Sequence, residues 1–112
     1  MHTERCMINV YTTYKGRKVR ASIFYPDEDS ETGWIESDVF MHTVDECLNW
    51  LSINYPLITG HKFSTEHLGF QINEGDPDDE TLDRTTTLYE ISTLYPDLVK
   101  AKGKASRKLE LQ

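Results

Sequence analysis

Cys6-Met-Ile-Asn-Val-Tyr-Thr-Thr-Tyr14 and Arg17-Lys-Val-Arg-Ala-Ser-Ile-Phe-Tyr25 are two runs of β-branched and aromatic residues separated only by Lys15-Gly16. That arrangement predicts a β-hairpin closed by a two-residue turn. A register follows from it. With Tyr14 facing Arg17, Thr12 meets Val19, Val10 meets Ala21, Ile8 meets Ile23 and Cys6 meets Tyr25, so the aliphatic residues of both strands share one side. The opposite side carries Thr13 with Lys18, Tyr11 with Arg20, Asn9 with Ser22 and Met7 with Phe24.

Working outward, the turn-rich segment from Pro26 to Gly33 leads into Trp34-Ile-Glu-Ser-Asp-Val-Phe-Met41, which alternates again and completes an antiparallel meander. Ile35, Val39 and Met41 fall on the aliphatic side, and Trp34, Glu36, Asp38 and Phe40 on the other. Glu36 and Asp38 are thereby expected to form cross-strand ion pairs with Lys18 and Arg20, and Trp34 to pack on Phe24.

Thr43-Val-Asp-Glu46 is a capping box, with acidic residues suited to the positive end of the helix dipole. The helix it opens is expected over residues 44–55. Val44, Cys47, Leu48, Leu51 and Tyr55 fall within about 100° of one another on the helical wheel, the width of a core-facing stripe. Trp50 and Ile53 lie outside the stripe, as a second apolar patch for the rest of the chain or a partner to cover. Pro56 is expected to end the helix, with Leu57 to Gly60 an extended return and at least one more short strand within 62–72.

Asp76-Pro-Asp-Asp-Glu80 has the pattern of an Asp cap, a Pro in the first turn and an acidic helix start. From position 88, Leu88, Ile91, Leu94, Tyr95, Leu98 and Val99 make a helical stripe, while Thr85-Thr-Thr87 suits a strand or a break and Pro96 kinks or ends any helix reaching it. The fold class is therefore α+β. One small domain over 1–99 holds an antiparallel sheet of three to five strands packed against one central helix, with a C-terminal helical segment. Residues 100–112 read as a basic tail, mobile on its composition.

The 112 residues leave room for one domain, and no 18-residue apolar run marks a membrane span. Met1-His-Thr-Glu-Arg5 lacks the pattern of a secretory leader, so a cytosolic setting with reduced cysteines is expected. Cys6 and Cys47 both fall on apolar positions and read as small buried hydrophobes. The formal charge is −7, from 19 acidic and 12 basic residues. Divided along the chain, it is sharper. Residues 1–25 carry five Lys or Arg and one Glu (net +4), 26–99 carry two and seventeen (net −15), and 100–112 carry five and one (net +4).

No catalytic signature is present. The histidines are not spaced as zinc ligands, Gly-x-Ser-x-Gly and phosphate-binding glycine loops are missing, and no cofactor is implied. Asp27-x-Asp29-x-Glu31 opens like an EF-hand, but Thr32 stands at the sixth position where Gly is required, and the twelfth residue is Asp38.

Three uses of the charge remain. One is a solvated face that keeps the protein soluble. Another is a non-enzymatic interaction module, an inhibitor or regulator whose carboxylates occupy the basic groove of a nucleic-acid-binding protein. Many mobile-element products share this size and charge. Its acidic contacts would be Asp27, Glu28, Asp29, Glu31, Asp76, Asp78, Asp79 and Glu80, with Trp50 and Ile53 as apolar contacts. A second copy of the chain is the other protein partner open to it. The third use is nucleic-acid binding through Tyr11, Lys15, Arg17, Lys18 and Arg20, aromatics interleaved with cations, aided by the basic tail.

Overall fold

The computed structural model describes residues 6–101. The tail expected from 100 onward lies, beyond its first two residues, outside the described residues. Five strands, β1 (Met7–Thr13), β2 (Lys18–Pro26), β3 (Trp34–Met41), β4 (Leu68–Asn73) and β5 (Asp83–Thr86), form one sheet in the order β3-β2-β1-β4-β5. Three helices accompany it: α1 (Val44–Thr59), α2 (Leu88–Leu94) and α3 (Pro96–Val99).

The hairpin register matches the expectation pair for pair, with Ile8 opposite Ile23, Val10 opposite Ala21 and Thr12 opposite Val19. The turn differs. The strands stop at Thr13 and Lys18, and Arg17 donates its backbone N–H to the Tyr14 carbonyl at 3.2 Å. The left-handed residue is Arg17, at φ 52, and not Gly16. Gly16 is required for space instead, since a Cβ there would stand 2.8 Å from the Thr13 hydroxyl.

The expectation of a wholly antiparallel sheet is corrected by β4, which runs parallel to β1, with Ile8 beside Leu68 and Thr12 beside Ile72. Parallel neighbours need a long crossover, and residues 42–67, with α1 inside them, supply it. The sheet is mixed.

α1 starts where its capping box predicts. Thr43 Oγ1 accepts from the Glu46 N–H at 3.2 Å, and the Glu46 carboxylate accepts from the Thr43 N–H at 3.0 Å. Val44, Cys47, Leu51 and Tyr55 are buried against Val10, Val19, Ala21 and Ile23, and Leu48 packs at the margin. Removing a side chain like Leu51 from such a core costs about 2–5 kcal/mol.

Pro56 does not end this helix, and Leu57 to Thr59 are helical, not extended. Proline removes one donor, the one that would serve the Ser52 carbonyl, and Ser52 is exposed where water can replace it. The last turn is held by Tyr55 and Ile58 against the core and closes at Gly60, whose φ of 79 allows its N–H to reach the Pro56 carbonyl at 2.8 Å.

The third part of the chain also departs from expectation. Asp76 to Glu80 open no α-helix. Asp76 accepts from the Asp78 N–H at 2.9 Å in a tight turn, and Asp79 caps a single 3-10 turn, Glu80–Leu82, before β5. The threonine run contributes to β5, as the strand alternative required, and Pro96 divides α2 from α3. In the C-terminal stripe Ile91 and Leu98 are buried, whereas Leu94 stays half exposed. All three helices cover the same sheet face, since Leu88 and Val99 pack on the core beneath α1 and α3 touches α1. Among the described residues no helix covers the other face of the sheet.

Candidate interaction surface

The uncovered face is built by the strand residues whose neighbours point into the core. Across its middle run Phe40, Arg20, Tyr11 and Gln71, in cross-strand register from β3 to β4. The Arg20 guanidinium lies over the Tyr11 ring at 5.2 Å, a cation–π contact. The expected ion pairs do not form: among the described residues neither Glu36 nor Asp38 pairs with Lys18 or Arg20. The register explains this. Glu36 stands opposite Phe24 and Asp38 opposite Ser22, while Arg20 has Phe40 across from it on one side and Tyr11 on the other, and it leans toward the tyrosine. Trp34 stands opposite Pro26, one diagonal step from Phe24.

Two hollows dent this face. One, of about 210 Å³, is lined by Tyr11, Lys18, Arg20 and Phe40, with Pro77 and Asp78 on its rim. The other, of about 380 Å³, lies between Met7, Phe24, Gly69 and Gln71. Arg20 Nε and the Ser22 hydroxyl are buried on this face without a hydrogen-bond partner among the described residues. The Tyr11 hydroxyl donates to Asp83 at 2.7 Å; burial and then that carboxylate push its phenol pKa up.

The acidic residues split into two groups at opposite ends of the sheet. The loop carrying Asp27, Glu28, Asp29 and Glu31 joins β2 to β3, and the loop carrying Asp76, Asp78, Asp79 and Glu80 joins β4 to β5 beside the hairpin turn. The length of β2, roughly 30 Å for its nine residues, separates them. They form two separate patches, one at each end of the sheet.

Their surroundings differ as well. The β4–β5 loop is fastened by Asn73, which is fully buried: its amide donates to the Asp79 carbonyl and to Asp83 at 3.0 Å each and accepts from the Gly75 N–H at 2.9 Å. Cations stand next to it. A Cβ on Gly16 would lie 3.6 Å from Pro77, which sets the hairpin turn with Lys15 and Arg17 against this loop. Arg17 itself is ion-paired to Asp97 of α3, and so is not a free phosphate ligand. Arg84 bridges Glu74 and Glu90 at 2.9 and 3.0 Å.

Around the β2–β3 loop no such neutralisation exists among the described residues. Positions 21 through 61 contain eight Asp or Glu and no Lys or Arg. Asp27 is half-buried and staples the loop by accepting from the Asp29 N–H at 2.9 Å, while Glu28, Asp29 and Glu31 are exposed. The same field continues along β3 through exposed Glu36 and Asp38. These two residues are missing from the expected acidic contacts, and the cation-free stretch is the sequence signal that finds them.

Of the apolar contacts, Trp50 is half-buried on the protein's own core, so α1 and its surroundings cover it. Ile53 is exposed, and one turn further Leu57 is exposed too, at 77%. Leu57 was hidden from sequence reading by the expectation that Pro56 stops the helix. Cys6 and Cys47 are buried as expected; burial pushes the Cys47 thiol up to about 12 and raises that of Cys6, so neither is a ready nucleophile. Among the described residues no helix is long and apolar enough to cross a membrane, and no three His, Cys, Asp or Glu are grouped to hold a metal ion. No known protein-family model matches the chain, and no curated protein or solved structure matches it.

Proposed function

We propose that the protein is a small, non-enzymatic interaction module, an inhibitor or regulator acting in the cytosol, whose acidic surface engages a basic, nucleic-acid-binding protein. The observation that carries this reading is the acidic field of the β2–β3 loop and β3, Asp27 through Asp38, which no ion pair neutralises among the described residues and which lies beside a sheet face that no described helix covers. Like charges held together without counter-ions cost stability, and a basic partner relieves that cost on binding. The second acidic loop contributes less, because Lys15, Arg17 and Arg84 lie close to its ends.

Affinity capture at low salt from the cells in which the protein occurs, with mass-spectrometric identification, tests the proposal. Basic proteins retained by the native chain and released by the Glu36→Lys/Asp38→Lys variant support it. Retention indifferent to that variant overturns it.

A second reading has one observation in its favour. Tyr11, Lys18 and Arg20 meet Phe40 around one hollow, an aromatic and cationic set of the kind that stacks bases and holds phosphates. Asp78 on the rim and the ion-paired Arg17 weaken it. Binding of mixed DNA or RNA at low salt, lost in Lys18→Ala/Arg20→Ala, would favour this reading over the first.

A further inference from the structure

β3 is an edge strand of eight residues, hydrogen-bonded to β2 on one side and, among the described residues, to no strand on its outer side. An exposed edge is a template for another strand, because alternate residues direct their N–H and C=O groups outward. At Trp34 those groups are taken: its carbonyl accepts from the Ser30 and Thr32 hydroxyls at 2.6 and 3.3 Å and its N–H donates to Thr32 at 3.4 Å, so the open stretch runs from Glu36 to Phe40. The other edge of the sheet, β5, has only four residues and offers much less.

Side chains along β3 decide what could pair there. On the uncovered face its residues run Trp34, Glu36, Asp38, Phe40, two carboxylates between two aromatics. Phe40 is 64% exposed, and Glu36 and Asp38 are exposed. A second copy of the chain fits poorly. In an antiparallel pairing of two β3 strands centred on Ser37, Glu36 of each copy would meet Asp38 of the other, and shifting the centre by one residue sets Glu36 or Asp38 against itself. Like charges directly opposite each other destabilise a sheet. The carboxylates thus deter self-pairing while leaving the backbone edge open to a strand of opposite charge.

We infer that β3 accepts an extended basic segment of a partner protein as a sixth strand, with Lys or Arg opposite Glu36 and Asp38 and an apolar residue opposite Phe40. Main-chain hydrogen bonds would supply affinity, and the alternating side chains specificity. The inference rests on the acidic-surface reading above and deepens it, by naming the edge that is used and the sequence pattern it selects. Ser22, buried beside Asp38 with its hydroxyl unpartnered, marks the same row of the face as incompletely satisfied.

Selection of a displayed random decapeptide library on the folded protein tests it. The expected enrichment is for peptides with two Lys or Arg at alternate positions and an apolar residue two positions beyond one of them. Synthetic versions should lose at least tenfold in affinity on Glu36→Lys/Asp38→Lys, and should regain it when their own basic residues are changed to Glu, which also shows that the variant is folded. Methylating the amide nitrogens on the edge-facing side of the peptide should cost at least tenfold, whereas methylating those on its outer side should cost little. Basic peptides that bind by charge alone, indifferent to the methylated side, overturn the strand addition and leave the acidic-surface reading intact. An empty selection, enrichment without the basic pair, or affinity unchanged by the charge reversal overturns both.

Discussion

The two acidic segments, 27–38 and 74–83, are nearly indistinguishable as strings of Asp and Glu, yet the fold treats them oppositely. Segment 74–83 is bound into the protein: buried Asn73 holds its backbone, the Tyr11 hydroxyl donates to Asp83, and Arg84 and Tyr95 engage Glu74. Residues 27–33 make local turn bonds before the chain becomes an edge strand, and among the described residues no Lys or Arg forms an ion pair with the carboxylates of segment 27–38. A count of carboxylates therefore does not locate a binding surface. What separates the two is whether basic partners and backbone donors already occupy the charge.

The largest effect expected from this contrast is on stability. Asn73→Ala strips three hydrogen bonds from a fully buried position and leaves the Gly75 N–H and the Asp79 carbonyl without their partner, a loss of about 2–3 kcal/mol read from urea unfolding. Asp38→Asn, on the exposed edge, should stay within about 0.5 kcal/mol of the native chain. Equal effects at the two sites would abolish the distinction.

Partner binding should show the reverse. Replacing Glu28, Asp29 and Glu31 by their amides should weaken a captured basic partner about tenfold, or about 1.4 kcal/mol. Changing Asp76, Asp78 and Glu80 to amides should weaken it less than twofold, as titration at fixed salt would reveal. An equal loss from both sets would mean that the partner spans both ends of the sheet.

Much of the fold is legible in the sequence because periodicity and caps carry it. The hairpin and β3 alternate cleanly, and the Thr43–Glu46 box fixes the start of α1. The parallel placement of β4 is not legible, since Gly69 interrupts its alternation and nothing local states which strand it will join. Pro56 and the Asp76–Glu80 run mislead for a shared reason: a local rule is overridden by packing, through Tyr55 and Ile58 in one case and through Asn73 and β5 in the other. For the surface, the acidic residues are visible in the sequence but their neutralisation is not, because Arg17–Asp97 joins positions 80 residues apart and Arg84–Glu74 depends on the pairing of β4 with β5.

A smaller effect, confined to segment 74–83, is a dependence on pH at both extremes. The Tyr95 hydroxyl, followed by Arg84, holds the Glu74 carboxyl below its ordinary value, and the same carboxylate pushes the Tyr95 phenol up to about 12. For Glu74 the folded pKa is depressed, so its contribution is present above the unfolded value near 4.3 and fades as pH falls through the folded one. For Tyr95 the folded pKa is raised, so stability is complete below pH ~10 and is lost as pH climbs toward 12. Both groups are partly exposed, so each effect should stay below about 1 kcal/mol. Tyr95→Phe should reduce the alkaline loss, leaving the share of the other raised groups such as Tyr11, and soften the acid one; urea midpoints that depend on pH identically in the two proteins would show that the pair contributes nothing.

The smallest effect should come from Arg17→Gly, at the turn where cations meet the second acidic segment. Holding a non-glycine residue at φ 52 costs about 1–2 kcal/mol relative to glycine. The ion pair to Asp97 is half exposed on the arginine side and returns about 0–1 kcal/mol. Glycine's greater freedom in the unfolded chain offsets part of the relief, so the variant should lie between unchanged and about 1 kcal/mol more stable, while the captured basic partner is held as before. Arg17 would then be a local counter-ion for this end of the sheet, placed where charge is already balanced, and the unbalanced charge would remain with 27–38. A clear destabilisation would instead make the Arg17–Asp97 contact a structural clasp between the hairpin and α3, and would extend the fastened character of the second segment to the turn beside it.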